Sequence, residues 1–272
     1  MTVATAANVA ADSALMFDRG ELRSFDLHQG RWSGTRRYWS GRPWQMGSAA
    51  YWEQIASEAE RPVSYRLGDD LLEELGACLL GGYGISSDMA AAAFERIRAN
   101  GVFEGSTNWS AADLEAMLSE PFSDFARPRR YRFPRQRAAR LHAALGAAAS
   151  GSPPDHPVAL RDWLLRLPGV GPKTASWIVR NQTSSDAVAI IDIHIIRAGN
   201  AAGIFDARWQ ANRDYALFEH AFLSWAGHAG LPASLLDACV WGVLAHAGPA
   251  ARDILGTDQV SRTPAPVWPI DS

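Results

Sequence analysis

The sequence predicts a mainly α protein, and three observations carry that reading. From about residue 68 onward, apolar residues recur at helical spacing in one segment after another. These segments open on Asp, Ser or Pro and close on Gly, Asn-Gly or Pro, the residues that start and stop helices. Little strand character follows residue 66. At 272 residues, with 47% apolar and 20% charged residues, the chain can build one large domain or two small ones around an ample core.

"GDDLLEELGACLL" (68–80) reads as a helix with Asp69 or Asp70 as its N-cap, broken by "GGYG" at 81–84. "SSDMAAAAFERIRANG" (86–101) follows, then "SAADLEAMLSEP" (110–121), which starts at Ser110 and stops before Pro121. The basic-aromatic run "RPRRYRFPRQR" (127–137) leads into the helix "PRQRAARLHAALGAAAS". "SGSPPDHP" (150–157) reads as a linker between two halves. Beyond it come "VALRDWLLRL", the turn "PGVG" and "PKTASWIVRNQ", whose proline suits a first helical turn. "VAIIDIHIIRAGNAAGIF", "NRDYALFEHAFLSWAG" and "PASLLDACVWGVLAHAG" complete the helical series. Residues 1–20 read as a loose leader, and residues 21–52 as loops and short extended pieces without helical period. The expected division is an N-terminal extension packing on the core (1–65), a helical domain (66–255) with a hairpin at 160–180, and a tail (256–272).

Composition narrows the chemistry. A formal net charge of −3 offers no global attraction to nucleic acid, so any such binding rests on local basic patches or backbone amides. Cys78 and Cys239, the only cysteines, exclude a four-cysteine iron–sulfur or zinc site. No segment reaches the apolar length of a membrane span, so a reduced, cytoplasmic monomer without membrane contact is expected.

The chain's 26 basic residues include one lysine, Lys173, in "LPGVGPKTASW" (167–177). Arginine replaces lysine wherever a surface charge suffices, but not where a neutral amine must act, because guanidinium does not deprotonate in a protein. The turn before Lys173 joins two helical segments. Its glycines allow positive φ, and the free amides at the start of the second helix form an anion site suited to phosphate. A helix pair that merely packs is the alternative for so short a motif.

"LPGVGPKTA" resembles the helix-hairpin-helix of the DNA glycosylase superfamily, and "IIDIHIIRAGN" resembles the segment that carries that family's catalytic aspartate. The 19 residues from Lys173 to Asp192 match the 8-oxoguanine branch. The likeness is strong over 160–205, consistent in helix order over about 66–250, and silent on residues 1–65. It implies two helical subdomains flanking a cleft. The implied activity is a bifunctional DNA glycosylase and AP lyase of base excision repair, acting on duplex DNA with a damaged base.

Lys173 then matches the Schiff-base nucleophile, and Asp192 the assisting carboxylate, although an N-cap is the ordinary use of an aspartate there. Gly169, Val170 and Gly171 match the turn that holds phosphate, with a monovalent cation bound at the hairpin and no other cofactor or metal. His194 matches a phosphate contact. Trp177, one turn after Lys173, stands where the animal-like enzymes carry a cysteine; it either stacks on a flipped purine or fills the core. Trp241 is a second pocket candidate or a buried helix aromatic. Tyr83 lies where the family fills the gap left by the extruded base. Arg130, Arg132 and Arg135 supply phosphate and single-strand contacts, or a solvated face. Still open are an oxidised-pyrimidine enzyme, an enzyme for another modified base, and a hairpin module that only grips DNA.

Overall fold

The computed structural model describes residues 18–29, 32–60, 66–82, 84–104, 109–123 and 125–254. Among them stand ten helices and one two-stranded sheet, so the mainly α reading holds. The chain folds as two compact units, Val63–Val188 and a second drawn from Met1–Pro62 with Ala189–Ser272.

Residues 21–52 are more regular than their composition suggests. Strands β1 (Leu22–Gln29) and β2 (Trp32–Trp39) pair antiparallel, from Leu22 opposite Trp39 to Gln29 opposite Trp32. Phe25 and Leu27 alternate inward on β1, joined by Tyr38 of β2. Helix α1 (Ala49–Glu58) follows, its N-terminus closed by Ser48, whose side chain accepts from the Tyr51 amide at 3.1 Å.

The rest of this unit is α8 (Ile193–Ala201), α9 (Tyr215–Ala229) and α10 (Ala233–Ile254), the last kinked at Gly248. Trp52 of α1 and Trp225 of α9 are fully buried in its core. Glu53 of α1 fastens three elements, accepting from Arg23 Nη1 at 2.8 Å and Trp225 Nε1 at 2.9 Å. Arg36 of β2 donates to the carbonyls of Gly203, Ile204 and Phe205 just after α8. These bonds make the N-terminal segment a built-in wall of the unit that carries α8. The boundary drawn at residue 65 therefore isolates no separate layer.

The other unit holds α2 (Leu71–Leu80), α3 (Ser87–Ala99), α4 (Ala111–Ser119), α5 (Pro134–Ala149), α6 (Pro157–Leu164) and α7 (Pro172–Thr183). Local chemistry sets their starts. Asp70 Oδ1 accepts from the Leu72 and Glu73 amides, both at 2.9 Å. Ser110 and Asp113 form a reciprocal capping box at α4. Prolines occupy the first turns of α5, α6 and α7, where the missing N–H costs nothing.

One core runs through all six helices, with Leu75, Phe94, Leu118, Leu141, Leu164 and Ile178 among its members. The stretch 150–157 consequently divides no halves. It is a surface connection inside one unit, because Leu160, Trp163 and Leu164 of α6 enter the same core as Leu141 of α5.

Among the described residues no single helix is long and apolar enough to cross a membrane.

Candidate active site

The hairpin around "LPGVGPKTA" is α6, a seven-residue connection (165–171) and α7. Leu167 and Val170 are buried and anchor the turn in the core. Gly169 has φ +80°, a conformation open to glycine at little cost. The Val170 amide donates to the Leu167 carbonyl at 3.2 Å, so neither its side chain nor its N–H is left for a ligand. Val170 thus anchors the turn through its side chain. The Gly169 and Gly171 amides make no backbone hydrogen bond among the described residues. Lys173 and Thr174 lie in the first turn of α7, where amides have no partner within the helix, and no side chain caps them. These amides and the positive end of a twelve-residue helix lie within a few residues of one another.

Lys173 is half-buried, and its amine makes no hydrogen bond or ion pair among the described residues. Its Nζ lies 5.8 Å from the ring centroid of Trp177, the residue four positions on. Trp177 is itself half-buried and belongs to neither hydrophobic core cluster.

The buried face of α7 is held against α2 by a carboxylate that the sequence reading passed over. Glu74 is fully buried; its Oε2 accepts from the Leu67 and Gly68 amides at 2.8 and 3.0 Å, and its Oε1 from Asn181 Nδ2 at 2.6 Å. A buried carboxylate survives only when so satisfied, and here it fixes the rotation of α7 and hence the direction of Lys173. One turn along α2, burial pushes the Cys78 thiol well up; the Glu74 charge adds to this and the Lys173 ammonium opposes it.

Asp192 stands in the other unit as the N-cap of α8. Its Oδ1 accepts from the His194 and Ile195 amides at 2.8 and 3.0 Å, while Oδ2 accepts no hydrogen bond among the described residues. The segment leading to it is clamped by α9: the Ala189 amide donates to Glu219 Oε1, the Ile191 amide donates to the Tyr215 hydroxyl, and that hydroxyl donates to the Ala189 carbonyl, each at 3.0 Å. With Ile191 and Ile195 buried on either side, the carboxylate is held half-buried with one oxygen spare. His194 is half-buried in the first turn of α8.

The arginine run divides into structural and available members. Arg129 pairs with Asp88 and Ser86, and Arg137 donates to the Leu79 carbonyl at 2.9 Å. Arg130, Arg132 and Arg135 are exposed, with Arg132 lying over the Phe133 ring. Arg140, outside the run, lays its side chain against Gly169 of the turn.

Trp241 is 49% exposed on α10, edge-on to His246, so the buried-aromatic reading fails. Tyr83 lies outside the described residues. No group of three or more His, Cys, Asp or Glu that could hold a metal ion occurs among the described residues.

A family profile described as 8-oxoguanine DNA glycosylase (Ogg-HhH) matches residues 55–231, more than half of the chain. The chain belongs to this family. It is a helix-hairpin-helix DNA repair glycosylase by family.

No curated protein matches. Three solved structures are similar to this family member. The 8-oxoguanine DNA glycosylase of Thermotoga maritima is 21% identical over 74% of this chain and 89% of its own, with a TM-score of 0.47. The 8-oxoguanine glycosylase/lyase of Methanocaldococcus jannaschii, in complex with a 15mer DNA containing 8-oxoguanine, is 20% identical over 73% and 89%, with a TM-score of 0.47. An endonuclease III trapped covalently on DNA is 16% identical over 71% and 81%, with a TM-score of 0.49.

Proposed function

We propose that this protein is a bifunctional DNA glycosylase and AP lyase that removes 8-oxoguanine from duplex DNA through a Schiff base on Lys173, assisted by Asp192. The observation that carries the proposal is the placement of the sole lysine. It sits in the first turn of α7, directly after the hairpin turn, with an amine that makes no hydrogen bond or ion pair among the described residues and the half-buried Trp177 indole 5.8 Å away. A structural lysine would be paired or fully solvated.

The chemistry follows from these groups. A base must leave the stack to be reached, and it would then lie against the Trp177 ring. The neutral Lys173 amine attacks the sugar C1′ as the bond from C1′ to the base nitrogen breaks. The base takes up a proton as it leaves, and the new ammonium loses one. Opening of the sugar ring gives the imine. Loss of a C2′ proton then expels the 3′ phosphate, which nicks the strand, and water hydrolyses the imine to restore the amine. Asp192, with Oδ2 spare, offers negative charge to the cationic sugar. The hairpin amides and His194 hold phosphates meanwhile.

A strand-nicking panel tests the reading. Duplexes carrying 8-oxoguanine and abasic sites should be cut, and those carrying thymine glycol or uracil should not. Preferential cutting at thymine glycol would reassign the substrate to oxidised pyrimidines.

Two further outcomes follow. Trp177→Ala should slow 8-oxoguanine excision by roughly five- to a hundredfold, the value of one base–aromatic stack. Cutting of a pre-formed abasic site should change far less, since no base remains to stack; equal loss on both substrates would make Trp177 a structural residue. Nicking should also persist undiminished in EDTA, because each bond change is served by the amine, a carboxylate and water. Loss on chelation, restored by magnesium, would indicate phosphodiester hydrolysis by a nuclease instead.

A further inference from the structure

The Cβ, Cγ and Cδ of Arg140 come within 3.1–3.3 Å of where a Cβ on Gly169 would sit. The stem of Arg140 therefore lies flat over the turn, and any residue but glycine would displace it as well as strain a backbone at φ +80°. Arg140 as a whole is half-buried, and its guanidinium makes no ion pair or hydrogen bond among the described residues.

One turn earlier on α5 stands Arg137. Its Nη1 donates to the Leu79 carbonyl, but its Nε is buried with no acceptor. Burial draws the Arg137 pKa below its ordinary value; the Tyr131 phenol opposes this, and the Arg140 charge adds to it. Two like charges thus sit close together, one short of an acceptor, with no carboxylate paired to either among the described residues. Left alone the doublet is unfavourable, and an anion relieves it. The row continues to two glycines, with Arg137 Nη2 3.6 Å from the Cβ position of Gly82 and Arg132 Nη1 3.2 Å from that of Gly84.

We infer that Arg140 completes the anion site of the hairpin turn and that it binds, with the Gly169 and Gly171 amides, a backbone phosphate of the DNA. Arg137 and Arg132 carry the same strand's phosphates on towards Gly82 and Gly84. This rests on the DNA-binding function proposed above and names the side chains that supply its charge. It also explains how a chain of net charge −3 grips a polyanion: the positive charge is gathered on one helix edge beside the turn.

The test is a salt series. The full chain is titrated onto a fluorescent duplex carrying a non-cleavable tetrahydrofuran abasic analogue, between about 50 and 200 mM NaCl. Arg140→Met keeps the apolar stem over Gly169 and removes only the charge. It should bind roughly tenfold more weakly at low salt and lose about 0.9 from the slope of log affinity against log salt. Arg140→Lys should keep most of the slope, and Arg98→Gln, a surface arginine on α3 paired with Glu95, should match wild type. The slope is read on Arg140→Gln as well, so that misfolding of one variant, seen by its melting temperature, does not decide the matter. Wild-type slope and affinity in the folded Met and Gln variants would overturn the role of Arg140 and leave the hairpin's role standing. Failure of the wild-type chain to bind the duplex would overturn both.

Discussion

Lys173→Gln is expected to abolish borohydride cross-linking to abasic or 8-oxoguanine DNA and to slow strand nicking by ~10³-fold or more, the order of loss that follows removal of a nucleophile. The fold should survive, because the Lys173 amine holds no other group in place; only its contact with the Trp177 ring, worth about 0.5–1 kcal/mol at an exposed site, is lost. DNA affinity should stay close to wild type, since the amides of the turn remain. Lys173→Arg is the sharper variant. It keeps the charge, the length and the position over the indole, yet a guanidinium that never sheds its proton cannot attack C1′. Peptide mapping of the wild-type adduct should find one cross-linked peptide, the one containing the chain's sole lysine. Efficient trapping by Lys173→Gln would place the nucleophile on another amine.

Features coded within a few adjacent residues are legible in the sequence. Asp70 as a cap, the Ser110–Asp113 box and the proline starts of α5, α6 and α7 each depend on neighbours one turn away. The hairpin belongs to the same class, since its turn and the opening of α7 form one continuous string. That is why the hairpin turn and Lys173 can be found without any knowledge of the fold.

Residues that act through tertiary packing are not legible in this way. Arg140 precedes Gly169 by a whole helix and a connection, and only the fold of that unit brings the two into contact. Glu74 looks like one more acidic residue in the first turn of α2; its burial becomes plain only when Asn181 of α7 arrives to donate to it. Trp241 misleads for a different reason. The sequence of α10 is apolar on nearly every side, so no stripe marks which face turns outward. The β1–β2 hairpin hides because its alternation rests on Phe25, Leu27 and Tyr38 alone, amid arginines whose partners lie far along the chain. Val170 stands in the same turn as its flanking glycines, and its apolar side chain pins that turn to the core.

Asp192→Asn should fold, bind lesion DNA as wild type does, and excise 8-oxoguanine at least about a hundredfold more slowly, the scale on which removing electrostatic stabilisation of a developing charge is felt. The structure sharpens this separation of roles. The cap uses Oδ1 alone, and the amide oxygen of asparagine can accept from the His194 and Ile195 amides just as well. The clamp by Tyr215 and Glu219 acts on the backbone before residue 192 and does not depend on the side chain. What asparagine cannot offer is the negative charge on the spare oxygen, which a sugar becoming cationic at C1′ requires. Asp192→Ala removes both, and should lower stability by about 1 kcal/mol as well as activity. Cleavage of a pre-formed abasic site should suffer less than base excision, because no base has to be expelled there. Thermal melting, duplex affinity and single-turnover rates on the two substrates distinguish these outcomes. If Asp192→Asn releases 8-oxoguanine at the wild-type rate, Asp192 serves only as the cap of α8, and the carboxylate that assists Lys173 must be sought elsewhere.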